Sequence, residues 1–486
     1  MLCAGAVQSK NVRNSMLKNL LDACGAAIGF YCFGYAFAFG GSEFGGPTTF
    51  IGNTNFFLMN IDENFFLAPY VEGGMYWFFQ FAFAATAATI VAGTLAERSQ
   101  MLAYLCYSFV LTGFIYPVVV HSVWSPNGFL SITNKNRLFG SGAIDFSGCG
   151  VVHITGGITA LVSTKILGPR KGRFYDSRGD PLPEPKKFQQ HSAALQVLGT
   201  FILWFGWYGF NSGNTLFISP HSRSEVAARA AISTTLGAAS GSASALFANL
   251  IWAERRTGEA TYDLTCALNG ALSGLVSVTA GCTVIQPWAA IIAGFVGGLN
   301  YLLWSHLLLR LRLDDAVDAI PVHLSNGLWG LILVGLFATP EYVEQLYGSL
   351  HAGWFYSWAQ GSADARLLAS QLVEALFIIG WVFVFMYPFF GCLNYLGWFR
   401  ADPLEEIIGL DISYHGGSVL HDDEACMEYA QARRVQNQLN KSSWKLRIRR
   451  KQQSTAGDSN GSDILNTMMD MPRNDPTQDD EFENSA

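Results

Sequence analysis

Two stretches of this chain place an aspartate eight residues ahead of a histidine: Asp145 before His153, and Asp315 before His323. A carboxylate and an imidazole can pass protons near neutral pH or hold a cation between them. The first acid opens an otherwise apolar run, and the second again leads into an apolar segment, 328–338. Eight residues are just over two helical turns, so in one continuous helix Asp145 and His153 lie on nearly the same face, about 12 Å apart along the axis. That helix is expected to run on through Gly156 and Gly157 to about residue 167, long enough to cross a bilayer. An ionisable residue in such a span is costly and points to function. The plain alternative is that Asp145 caps a helix start and His153 bonds a neighbouring helix. Recurrence of the pattern in the second half favours function. Matched motifs are the mark of an internal repeat, and transporters bind their cargo between such repeats.

The elements that must position these residues are membrane helices. Of 486 residues, 50% are hydrophobic and 14% charged, against about 25% charged in a soluble protein. The 50 glycines suit close helix packing in lipid. The fold class is therefore all-α and polytopic. Apolar segments cover 19–39, 73–95, 101–120, 148–167, 193–210, 226–253, 262–281, 284–309, 319–338 and 368–392. At roughly 20 residues per span these make about ten full transmembrane helices. Residues 1–7 read as the second half of a further helix whose first half is missing. With no basic segment ahead of them, a signal peptide is not expected. Lys and Arg concentrate in alternate loops and in the tail, which places that set, and the C-terminus, in the cytosol.

Residues 1–400 form the transmembrane domain and 401–440 a cytosolic regulatory tail. Residues 441–486 are basic, then acidic. The basic run around Trp444 either lies on an anionic leaflet or is a solvated surface. Beyond 452 the Ser-, Asn- and Asp-rich composition predicts disorder. The nine cysteines form no CxxC pair; they read as packing residues, neither a disulfide framework nor metal ligands. No phosphate-binding loop, dinucleotide fingerprint or HExxH appears, so neither an enzyme nor a cofactor is expected.

Specific motifs then narrow the class. They are Met1-Leu2-Cys3-Ala4-Gly5, Phe33-Gly34-Tyr35-Ala36-Phe37, Leu95-Ala96-Glu97-Arg98, the 145–153 stretch, Gly168-Pro169-Arg170, Trp204-Phe205-Gly206-Trp207-Tyr208-Gly209-Phe210-Asn211, Ala280-Gly281-Cys282 and Gln286-Pro287-Trp288-Ala289-Ala290. In these the chain resembles the ammonium transporter (Amt/Mep/Rh) family, first plant-type class, with a shortened N-terminus. The resemblance implies a homo- or heterotrimer in the plasma membrane, with one pore per subunit and eleven helices in two inverted halves. It implies ammonium and methylammonium as cargo, lipid as surroundings, and no nucleic-acid partner.

Carried over residue by residue, the resemblance puts Trp124 and Phe83 at an outer recruitment site. Phe83 and Phe210 become a stacked phenyl gate, with Phe79 one turn from Phe83 and Trp207 lining the vestibule. His153 and His323 are paired imidazoles in the pore, and Asp145 is the acid near the outer site. An indole face attracts cations, although a tryptophan at a helix end is more usually an interfacial belt residue. On spacing alone Phe79, Phe83 and Phe210 are core residues. Two bonded imidazoles can relay a proton while neutral ammonia crosses.

Three departures stand out. Asn214 replaces the family's serine at the outer site, Ser212 stands where the plant class usually has proline, and the chain starts inside the first helix. In the tail, Gly409-Leu410-Asp411-Ile412-Ser413-Tyr414-His415-Gly416 resembles the regulatory segment, with Ser413 where a threonine is usually phosphorylated by a protein kinase. The expected function is ammonium uptake, as ammonia plus proton or as net cation. The alternatives are an electroneutral ammonia channel and an ammonium sensor with low flux.

Overall fold

The computed structural model describes residues 1–415 apart from 42–47, 60–73, 177, 217–218 and 220. The basic-then-acidic segment 441–486 and most of the regulatory tail lie outside the described residues. Among the described residues there is no strand beyond isolated bridges. The helices run in chain order: α1 Leu2–Ala6, α2 Ser9–Phe39, α3 Met75–Thr94, α4 Met101–Trp124, α5 Cys149–Leu167, α6 Ala193–Thr215, α7 Arg223–Thr257, α8 Leu264–Thr279, α9 Pro287–Arg310, α10 Ile320–Phe337, α11 Pro340–Tyr347, α12 Trp354–Ala359, α13 Arg366–Tyr395, α14 Pro403–Ile408 and α15 Leu410–His415. Among the described residues nine of them are long and apolar enough to cross a membrane, and α8 is a shorter apolar helix. Each of the ten expected apolar segments is helical, with shifted ends. The largest shift is in α2, which begins at Ser9 rather than near 19, and α4 continues to Trp124 instead of stopping near 120. The last residue of α4 is held there by a bond from Trp124 Nε1 to the carbonyl of Asp145, 2.7 Å away.

The internal repeat is visible in α5 and α10. Each opens with a π turn, Cys149–Ile154 and Ile320–Ser325, and each π turn contains the histidine. Each histidine is followed four residues later by a glycine, Gly157 and Gly327. There the two helices touch backbone to backbone. A Cβ on Gly157 would stand 2.8 Å from the amide nitrogen of Leu324, and one on Gly327 would stand 2.7 Å from the carbonyl oxygen of Cys149. Only a residue without a side chain permits this crossing. It fixes how closely the two imidazoles approach.

On the face carrying the basic loops, Arg170 joins the two halves. Its guanidinium pairs with Glu97, and also with Asp314 through Nε and Nη2, both at 2.8 Å. Burial works to raise the carboxyls of Glu97 and Asp314, but the adjacent Arg170 outweighs it and holds both below the usual carboxylate range. Such forked pairing needs the planar guanidinium. The tail returns to this face. Asp411 on α15 accepts from the backbone N–H of Arg13 and Asn14 at 2.9 and 2.7 Å, and so docks on the start of α2.

Candidate functional site

Asp145 does not share a helix face with His153. The helix begins at Cys149, after a turn at Gly148 in the left-handed region (φ 100°), so the acid lies below the helix start. One carboxylate oxygen accepts the N–H groups of Gly148 and Cys149 at 3.0 and 2.6 Å. The other accepts those of Gly150 and Val151, both at 2.9 Å. A helix start leaves four such donors without intrahelical partners and carries a positive dipole end. One carboxylate satisfies all four here. Burial raises this carboxyl above the usual carboxylate range, against the lowering pull of the four backbone bonds. At 3% exposure it is out of reach of direct contact with solvent. Asp315 does similar work for α10, accepting from Ile320 and Val317 at 2.6 and 3.3 Å. Its carboxyl is pushed up to about 7, first by burial and then by the nearby Asp318.

Above this cap the aromatic residues expected at the site form one column. The edge of Phe83 meets Trp124 at a ring separation of 5.5 Å. Phe83 also stacks on Phe210 at 4.3 Å, with Phe79 beside it at 4.9 Å. Phe210 leads to Trp207 at 5.6 Å and to His153 at 5.9 Å. Trp207 lies nearly parallel to the His153 ring, 5.4 Å away, and its own N–H donates to Thr279 Oγ1 at 3.0 Å. Asn214 borders the column. Its amide nitrogen donates to the Phe146 carbonyl and, at 3.3 Å, to Ser147 Oγ, so that nitrogen is committed to the backbone beside Asp145. Ser413 is not in the column; it lies on α15, where its hydroxyl donates to the Gly409 carbonyl.

The column ends on the histidines. Nδ1 of His153 and Nδ1 of His323 are 3.1 Å apart, and the rings are 5.1 Å apart and inclined by 19°. Only one proton fits between two Nδ1 atoms. In the neutral pair one ring therefore donates from Nδ1 and the other carries its proton on Nε2. Moving the shared proton, together with gain of a proton at Nε2 of the donor ring and loss of one from Nε2 of the acceptor ring, exchanges the tautomers and carries one proton across the pair, which is what a relay requires. Nε2 of His153 has no protein partner and is buried. By contrast His121, also buried, bonds two backbone carbonyls, Ala38 and Thr48, and so ties elements together. A cavity of about 300 Å³ reaches both His153 and His323 from the side of the basic loops. Its walls include Ile90, Leu203, Leu272 and Val322. Apolar walls admit a neutral molecule far more readily than an ion. Among the described residues no group of three His, Cys, Asp or Glu is placed to hold a metal.

Two residues of α13 belong to this region and do not emerge from the motifs. Gln371 accepts the Ile144 N–H at 2.7 Å and donates to the Ile144 carbonyl at 2.8 Å, which tethers the backbone ahead of Asp145. Glu374 lies behind the cap. An acid inside the apolar run 368–392 carries the same signal that singled out the histidines.

Known proteins agree with this architecture. Residues 1–420 match the model of the Ammonium Transporter Family. Ammonium transporter 1 member 2 of Oryza sativa subsp. japonica is 42% identical over 441 residues, covering 87% of this chain and 83% of that protein. Ammonium transporter 1 member 2 of Arabidopsis thaliana is 42% identical over 439 residues, covering 87% of this chain and 80% of that protein. Among solved structures, a sensor Amt protein superposes with a TM-score of 0.70 at 30% identity, covering 85% of this chain and 93% of that one. Candida albicans Mep2 superposes with a TM-score of 0.68 at 25% identity, covering 82% and 81%. Sequence match, helical architecture and paired histidines together place the chain in the ammonium transporter family.

Proposed function

We propose that this chain carries ammonium across the plasma membrane, stripping it to ammonia and a proton at the aromatic column and moving the proton along His153 and His323. One observation carries the reading: the two Nδ1 atoms meet at 3.1 Å at the end of the Trp124–Phe83–Phe210 column. Trp124 and Phe83 recruit the cation, and Asp145 supplies negative field through the helix start. Asn214 trims the entrance, Phe79 backs Phe83, and Phe83 with Phe210 forms the gate. Trp207 lines the passage. Bare ammonium loses hydration it cannot replace among phenyl rings, whereas ammonia loses little. The proton therefore takes the imidazoles. Methylammonium fits the same chemistry. The functional form is a homo- or heterotrimer set in lipid with the tail in the cytosol, and Ser413 is the site of kinase control.

A second reading, an electroneutral ammonia channel, draws on the apolar cavity beneath the histidines. Current recording separates the two. His153→Leu with His323→Leu, checked for surface expression, should abolish ammonium-dependent current across several pH values while ammonia permeability persists. Full current from a well-expressed double variant would overturn the relay. The absence of any ammonium current from the unaltered protein, with pH-driven ammonia flux intact, would favour the channel.

A further inference from the structure

Glu374 sits in the first third of α13 with none of its surface exposed. Neither of its carboxylate oxygens finds a donor on the protein. One of them lies against Gly150, so closely that a Cβ there would stand 2.6 Å from it. The group these oxygens meet is the carboxyl of Asp145, which already accepts the Gly150 N–H at 2.9 Å. Three residues earlier on the same helix, Gln371 holds both backbone groups of Ile144. So α13 presents an amide and an acid, on one face, to the consecutive residues Ile144 and Asp145.

Two ionised carboxylates only accept hydrogen bonds. Pressed together in a buried site, they repel and each bears the cost of a buried charge. A single proton removes both difficulties. Its position follows from the partners. Asp145 is stabilised as the anion by four N–H donors, and Glu374 has none. Among the described residues no ion pair includes either acid. The other titratable groups that act on the pair are Cys149 of α5, Tyr116 of α4, Cys282 of the loop between α8 and α9, and Tyr347 of α11; all are neutral in their ordinary state.

We infer that Glu374 is a protonated acid that donates its proton to Asp145, so that the pair shares one proton, carries one negative charge behind the outer cation site and can release that proton. Its consequence for transport rests on the ammonium reading above; its chemistry does not. Glu374 is a positioning residue that acts through Asp145. Loss of the shared proton would double the negative charge under the aromatic column and favour a cation there.

The test uses the full-length chain, purified and reconstituted. Infrared spectra at neutral pH should contain the carbonyl stretch of a buried protonated carboxyl, and Glu374→Gln should remove that band. Glu374→Gln keeps a donor toward Asp145 and should retain methylammonium uptake, whereas Glu374→Leu has no donor and should lose roughly tenfold in uptake. The KM of the unaltered protein, expressed against the cation concentration, should fall as pH rises, and that of Glu374→Gln should stay flat. A missing band, or a Gln variant as impaired as the Leu variant, overturns the proposal. Equal pH dependence in the wild type and the Gln variant rules out release of the shared proton. If the unaltered chain transports no ammonium, the infrared result still decides where the proton sits.

Discussion

Asp145→Asn separates capping from charge. The wild-type carboxylate serves four backbone donors, two on each oxygen, at 2.6 to 3.0 Å. Asparagine keeps one acceptor oxygen, which can hold two of the four. Its NH2 group faces the other two N–H groups, donor against donor. Each buried donor left without a partner costs about 1–3 kcal/mol, so the substitution should cost about 2–6 kcal/mol. Loss of the negative charge at the helix start adds roughly 0.3–2 kcal/mol. The whole stability of a typical folded chain is only about 5–15 kcal/mol. The defect should also be local, because Trp124 and Gln371 hold the neighbouring backbone independently. Hydrogen exchange read by mass spectrometry should show faster exchange across residues 148–151 and a lower melting temperature. Glu374→Gln, which keeps a donor toward Asp145, should leave that segment protected. If Asp145→Asn melts and exchanges like the parent, the carboxylate does not hold the helix start, and the physical case for Asp145 fails.

Other outcomes follow from the same geometry. Arg170→Ala strands Glu97 and Asp314, both almost fully buried, and should destabilise the fold by about 3–5 kcal/mol. Because both carboxyls are held below their usual range, their contribution is complete above an unfolded value of about 4 and is lost as pH falls through the folded values. Thermal melts of the parent should therefore decline below about pH 4, and those of Arg170→Gln should decline less. Asn214→Ser removes an amide bonded to Phe146 and Ser147 and should change the apparent affinity for methylammonium more than the maximum flux. Unchanged concentration dependence would place Asn214 outside the entrance. Ser413→Asp adds charge two residues from Asp411, whose carboxylate docks the tail helix on Arg13 and Asn14. Mixed with unmodified subunits it should depress current below the mutant fraction, and a strictly proportional loss would confine the tail to its own subunit.

Hydropathy by itself located the apolar helices, though not their ends. In a bilayer every backbone group must be satisfied within the span, and that demand leaves a plain mark on composition. The paired Asp–His spacing likewise revealed the repeat, and the family resemblance named the rings that the column assembles. Tertiary structure alone decided how these parts meet. Asp145 and His153 suggested one helix face, but the chain turns at Gly148 and makes the acid a cap, because four unpaired N–H groups attract a carboxylate more strongly than the helix needs one more turn. Trp124 belongs to a helix because its indole finds the Asp145 carbonyl. The 3.1 Å contact between the imidazoles depends on Gly157 and Gly327 letting two backbones touch. Glu374 joins the site only because α13 brings it against Gly150 and Asp145. In each case the partners are distant in sequence or lie across a turn that periodicity does not register. Which residues are costly to bury is written in the chain, and which of them share that cost is set by the helix crossings.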